Sequence, residues 1–168
     1  METNFLYIAL AALVPMVMGF IWYGPLFGKA WMKQMGFTEE SLKEGNMILI
    51  FGLSYLFSFM IAFFLQFITV HQLGAFSAMM ESGASELTTE AAADFQAFLG
   101  KYGANYRTFK HGLLHGAITG LFIALPILAT QAMFERKTFK YIAINASYWI
   151  ISLGIMGGIV CQWGVNLG

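Results

Sequence analysis

The segment MILIFGLSYLFSFMIAFFLQFITV, Met47 to Val70, decides the fold: its 24 residues contain no Asp, Glu, Lys or Arg. As a helix rising 1.5 Å per residue, such a run covers the hydrocarbon core of a bilayer, about 30 Å. Three more stretches share the property, at about 5–23, 111–134 and 141–163. In lipid only helices and closed barrels satisfy their own backbone, and runs this long and continuous are not barrel strands. The expectation is an all-α membrane protein, a bundle of four transmembrane helices. Pro15 and Pro126 interrupt the first and third spans. Each removes a backbone hydrogen bond and is expected to bend its helix.

Composition agrees. Apolar residues make up 58% of the 168 and charged residues 11%, against roughly 45–50% and about 25% in soluble domains. Nine basic and nine acidic residues cancel, so no basic field points to nucleic acid. The single cysteine, Cys161, has no partner for a disulfide or a cysteine zinc site within one chain. The length fits one integral membrane domain over 1–168. Glu2 is the only early charge and no Lys or Arg precedes Lys29, which does not fit a cleaved signal.

Loop one, about 24–46, carries Lys29, Lys33 and Lys43; loop three, about 135–140, carries Arg136, Lys137 and Lys140. The long loop two, about 71–110, carries Lys101, Arg107 and Lys110. The bias places loops one and three in the cytoplasm, with both termini and loop two outside. In loop one, Leu26, Phe27, Trp31, Met32, Met35 and Phe37 alternate with Lys29, Lys33 and Gln34, the pattern of a short helix lying in the headgroup region. Thr38 opens Thr-Glu-Glu-Ser and predicts a second short helix running toward Gly45. In loop two, Thr88 caps a predicted helix that places Phe95, Phe98 and Leu99 on one side. Loop two is expected to be an outward-facing cap over the bundle or a flexible excursion.

Gly112, Gly116, Gly120 and Ala124 recur every four residues and form one smooth ridge on the third span. Gly154 and Gly158 repeat the spacing on the fourth. Small residues at this spacing let helix backbones approach closely in lipid. They predict helix packing within the bundle or across a dimer; a groove for a lipid or small ligand is the alternative. Trp22, Tyr23 and Trp31 read as interfacial anchors at the cytoplasmic side.

All three histidines, His71, His111 and His115, fall at one end of the bundle. His111 and His115 are four apart and share a helix face that Thr119 continues. Imidazole ligates zinc, copper, nickel or iron, and three ligands with an open position make a catalytic arrangement. The plain alternative is interfacial histidines bonded to backbone, water or Gln66; a pH-sensing role is a third. No cofactor is expected, with a metal or haem at these histidines as the exception. No metalloprotease helix, nucleophile elbow, phosphate loop or dinucleotide fingerprint is present, so the chain does not read as an enzyme.

The string Gly19-Phe20-Ile21-Trp22-Tyr23-Gly24-Pro25-Leu26-Phe27-Gly28-Lys29-Ala30-Trp31, followed by Gly36-Phe37-Thr38-Glu39-Glu40, resembles a family of small four-helix bacterial membrane proteins of unknown function. Gly116, Gly120, Phe122, Asn145, Tyr148 and Trp163 fit the same pattern. The resemblance implies a four-helix fold and a bacterial inner-membrane location, and no activity. The functional expectation is a non-enzymatic protein that acts by packing with itself or with a membrane partner. A solute or ion pathway formed by an oligomer is the alternative, and a metal- or haem-binding protein the second. Acidic residues are missing from the spans, which disfavours coupled transport.

Overall fold

A computed structural model describes residues 1–167, apart from the side chains of Lys43 and Glu44. Lys43, counted above among the basic groups of loop one, therefore lies outside the described side chains. The described residues form a helical protein with four helices long and apolar enough to cross a membrane: Phe5–Leu26, Met47–Thr69, Phe109–Phe134 and Phe139–Trp163.

The first rod contains α1 (Phe5–Ala12), α2 (Val14–Ile21) and a wide π-helical turn at Trp22–Leu26. Pro15 has no N–H to donate and sits in the first turn of α2, a position that tolerates it. The ladder breaks just before it, where the Leu13 amide bonds Leu10 instead of Ala9. The helix α3 (Gly28–Met35) follows and ends on Gly36, whose φ of 72° is left-handed. The predicted helix after Thr38 is only a 3-10 turn, Ser41–Glu44. The Ser41 hydroxyl donates to the Thr38 carbonyl, the Ser41 amide donates to the Thr38 hydroxyl, and the turn ends on extended Gly45. So few residues cannot offset the cost of an α-helical nucleus.

The second rod is α4 (Met47–Thr69), capped by the Asn46 side chain. Two helices occupy most of loop two: α5 (His71–Met79) and α6 (Thr89–Tyr102), the latter capped by Thr88. The third rod runs α7 (Phe109–Thr119), a second π-helical turn (Gly120–Ala124) and α8 (Leu125–Phe134). The widened turn lies just ahead of Pro126, which cannot supply the next amide. The fourth rod is α9 (Phe139–Trp163), unbroken and capped by Thr138. Short strands β1 (Glu2–Thr3) and β2 (Val165–Asn166) pair antiparallel and tie the start of rod one to the end of rod four.

Burial assigns α9 the central place: 61% of its apolar window is buried, against 28% or less in the other three rods. The core around it joins Ile8, Ala11 and Ala12 to Ala62 and Leu65, and to Leu153, Met156 and Val160 of α9. Large apolar side chains point the other way. Ile48 and Phe134 are 88% exposed and Phe20 is 80% exposed. Such surfaces are stable against lipid tails, and the four rods are compatible with a multi-pass membrane protein.

The tightest helix pair is α7 against α9. A methyl group at Gly112 would run into the Gly157 carbonyl, and one at Gly116 into the Leu153 carbonyl. At Gly120 it would stand 2.5 Å from the Ile150 Cα. Backbone meets backbone here, so nothing flexible can yield. The α5–α6 arm is held differently. Gln72, 3% exposed, points its amide nitrogen at the carbonyls of Gly103 (2.9 Å), Asn105 (3.0 Å) and Tyr102 (3.4 Å), so one side chain clamps the end of α6.

Two outcomes follow from this packing. Gly112→Ala is expected to lose about 1–3 kcal/mol or more, because the helix backbones must separate. Gly52→Ala, with nothing within 4 Å, should hold or gain up to about 1 kcal/mol. Reversible unfolding in mixed micelles measures both, and equal effects would contradict the contact. Gln72→Leu should speed trypsin cleavage after Lys101 several-fold while the four rods stay intact; a cleavage rate equal to that of the unsubstituted protein would refute the clamp.

Candidate functional site

Rod two ends at a defined break. Val70 is extended (φ −107°, ψ 93°), and the chain restarts as α5 at His71. The Leu73 amide bonds the Val70 carbonyl, so the Thr69 carbonyl loses its helical partner. Cys161 of α9 supplies one, with its Sγ 3.2 Å from that oxygen. The break therefore sits against the central helix, and it projects His71 sideways from the end of the bundle.

The third rod begins at the same end. Thr108 caps α7, its hydroxyl accepting from the His111 amide. His111 and His115 each directly precede one of the packing glycines, Gly112 and Gly116. Successive helical residues are about 100° apart. With the glycines on α9, the histidine stripe turns to the flank of that contact and meets His71.

The three imidazoles converge. His71 Nε2 and His111 Nε2 are 2.9 Å apart. Ring centroids stand 4.4 Å apart for His111 and His115, and 5.1 Å for His71 and His115. One ring nitrogen from each lies within 4.8 Å of those of the other two. His71 is exposed and the other two are half-buried. Among the described residues, no Cys, Asp or Glu atom joins the cluster.

Tyr106 completes the surroundings. Its ring stands 5.1 Å from His111 and 6.0 Å from His71. Its φ is 61°, a left-handed backbone that costs a residue with a side chain about 1–3 kcal/mol. The turn is held from both sides, by Gln72 on the Asn105 carbonyl and by Cys161, whose Sγ lies 3.3 Å from the Tyr106 carbonyl. Half-buried Arg107 next to it donates to the Val165 carbonyl at 2.5 Å, and burial holds its guanidinium below its ordinary pKa.

The other predicted residues lie elsewhere. Gly112, Gly116 and Gly120 face α9. A methyl group at Gly154 would meet only an ordinary contact, 3.4 Å from the Leu113 carbonyl, and Gly158 faces the Phe109 ring. Gly157 stands in the closest contact on α9, facing Gly112 and Gly116. The four-residue spacing passes over it, and the adjacent Gly157-Gly158 pair was the only sign of it. Ala124 borders an apolar groove between α4 and the third rod. Trp22 is buried at 8% exposure and donates to the Ile144 carbonyl at 2.9 Å; the Tyr23 hydroxyl donates to Asn145 at 2.8 Å. Trp31 packs on Tyr23 at 5.3 Å. Tyr23 and Trp31 line a cavity of about 590 Å³ at the opposite end of the bundle, together with Tyr148 and Trp149. Gln66, a conceivable histidine partner, accepts from Thr3 instead, at 2.9 Å. Gln72 carried no sequence signal, since its role depends on how the arm folds back.

No curated protein and no solved structure matches the chain. The family model described as "Protein of unknown function (DUF1761)" matches residues 6–161, and the chain belongs to that family.

Proposed function

We propose that this protein holds one transition-metal ion at one end of its bundle, bound by His71, His111 and His115. A single observation carries the reading: imidazoles 40 residues apart in the chain present three ring nitrogens within 4.8 Å. Around one ion at roughly 2.0–2.1 Å per ligand, tetrahedral nitrogens stand about 3.3 Å apart. The closest pair need only open from 2.9 Å, and exposed His71 can swing to close the remainder. Imidazole suits zinc, copper, nickel and iron. Three protein ligands leave one coordination position for something else. A haem fits less well, because His71 and His111 already touch and a porphyrin plane between them would push them apart.

The basic residues of loops one and three favour those loops in the cytoplasm, in a bacterial inner membrane. The histidines would then face outward, and α3 would lie in the inner headgroups. Self-association has less behind it. The ridge Gly112-Gly116-Gly120 that motivates it is occupied by α9 of the same chain. A solute path draws on polar span residues, yet Tyr23, Asn145 and Tyr148 are engaged between the first and fourth rods. The metal reading assigns no reaction.

Protein reconstituted in lipid nanodiscs should take up one zinc or copper ion per chain by elemental analysis. His111→Ala and His115→Ala should each lose roughly a hundredfold or more in affinity, since even outer-shell changes cost 10–100-fold. Uptake should weaken as pH falls, because the ligands must be unprotonated to hold the ion. Non-saturable uptake, or equal uptake by the alanine variants, would remove the proposal.

A further inference from the structure

The histidine stripes do not stop at the histidines. On the third rod, His111, His115, Thr119, Ile123 and Ile127 succeed one another every four residues. On α4, Ile61, Phe64 and Ile68 share a second stripe, which ends at the Val70 break before His71. The lower parts of both stripes are the two walls of one groove of about 500 Å³, floored by Trp149 and Leu153 of α9. The groove is almost wholly apolar. Its one hydroxyl, on Thr119, is spent on the His115 carbonyl at 2.8 Å. From Thr119 to Ile127 the wall is about 12 Å long at 1.5 Å per residue, the reach of a medium-length alkyl chain. The π-helical turn Gly120–Ala124 lies within this wall and puts both Ile123 and Ala124 on the groove. Such turns recur where helices bind ligands. Phe64, Ile123 and Ile127 are exposed on the bundle surface, so the groove opens sideways into lipid.

The charge of the site selects the other half of the ligand. Three neutral imidazoles leave both charges of a divalent ion uncompensated. No carboxylate or thiolate joins them among the described residues. Lys110, next to His111 in sequence, and Arg107, four residues before it, are also positive. A metal ion in this setting draws an anionic oxygen into its open position.

We propose, building on the metal reading, that the ion and the groove bind one ligand together: a single-chain amphiphile whose anionic oxygen head sits on the metal and whose chain lies in the groove. A fatty-acid carboxylate and an alkyl phosphate share this chemistry. The orientation is that of a membrane lipid, head at the bundle end and chain toward the midplane. Entry is lateral, from the hydrocarbon.

Cobalt(II)-loaded protein in nanodiscs reports the open position through its visible absorption. Laurate, dodecyl phosphate, acetate and dodecanol are titrated in turn. Laurate or dodecyl phosphate should shift the bands at about a hundredfold lower concentration than acetate, because the chain adds apolar burial. Which of the two acts at lower concentration tells carboxylate from phosphate. Dodecanol, which partitions into the bilayer through the same chain, should leave the bands unchanged. Ile123→Trp fills the groove away from the histidines; it should raise the laurate requirement at least about tenfold and leave cobalt binding and the acetate response intact. Ile127→Trp serves the same end if the first variant does not fold. Cobalt bound without any advantage of laurate over acetate would overturn the amphiphile and leave the metal reading standing, as would a dodecanol response equal to that of laurate, or groove variants that change nothing. Failure of cobalt to bind would remove both.

Discussion

Lipid tails are as apolar as leucine, so nothing squeezes two helices together in a bilayer the way water does. Association rests on close packing and on polar contacts that lipid cannot offer. In this chain that requirement is met where α7 lies on α9. Gly112 and Gly116 face Gly157 and the Leu153 carbonyl with no side chain between them. The contact fixes more than the helix spacing. Each histidine of α7 is one residue ahead of a packing glycine, so pinning the glycines to α9 sets the rotation of the rod and the direction of both imidazoles. The same central helix sends Cys161 to the Thr69 carbonyl, at the break from which His71 projects. All three histidines are thus aimed by one helix that contributes none of them.

The polar side chains of the rods do local repair. At the break before Pro15 the Ala9 carbonyl is left without its usual amide, and the Tyr55 hydroxyl bonds it at 3.3 Å. The Pro15 carbonyl accepts from the Tyr148 hydroxyl at 2.8 Å. A broken ladder in lipid survives only when neighbouring helices satisfy it. The Tyr55 hydroxyl of α4 meets that demand at the Ala9 carbonyl, and the Tyr148 hydroxyl adds a second tie from α9 to the first rod.

The spans were legible because charge-free runs are long and unambiguous; the predicted limits 5–23, 47–70, 111–134 and 141–163 differ from the helices by at most three residues. The capped helix after Thr88 was legible for a similar reason, since its cap and its apolar side are local. What stayed hidden was three-dimensional. That His71 meets His111 depends on the break at Val70, which has no Pro or Gly to announce it. Gly154, Gly157 and Gly158 all face α7, and periodicity alone does not say which of them makes the closest backbone contact. Trp22 reads as a headgroup anchor from its place at a span end, but the wide turn around Gly24 and Pro25 rotates it inward onto the Ile144 carbonyl.

The choice of ligands at the proposed site follows from where it lies. A cluster of carboxylates at the edge of a bilayer would carry several unscreened charges whenever it was empty, at a cost that lipid makes severe. Imidazole ligands avoid this, since they bind the ion as neutral groups, and here one pair already lies within 2.9 Å. The cost moves instead to the occupied state, where the charge of the ion arrives with no protein anion to meet it. A site built this way is stable when vacant and incomplete when filled. On the proposed reading the anion that completes it comes from outside the chain, and the apolar groove that begins at Thr119, one helical turn beyond His115, gives that anion a direction of approach.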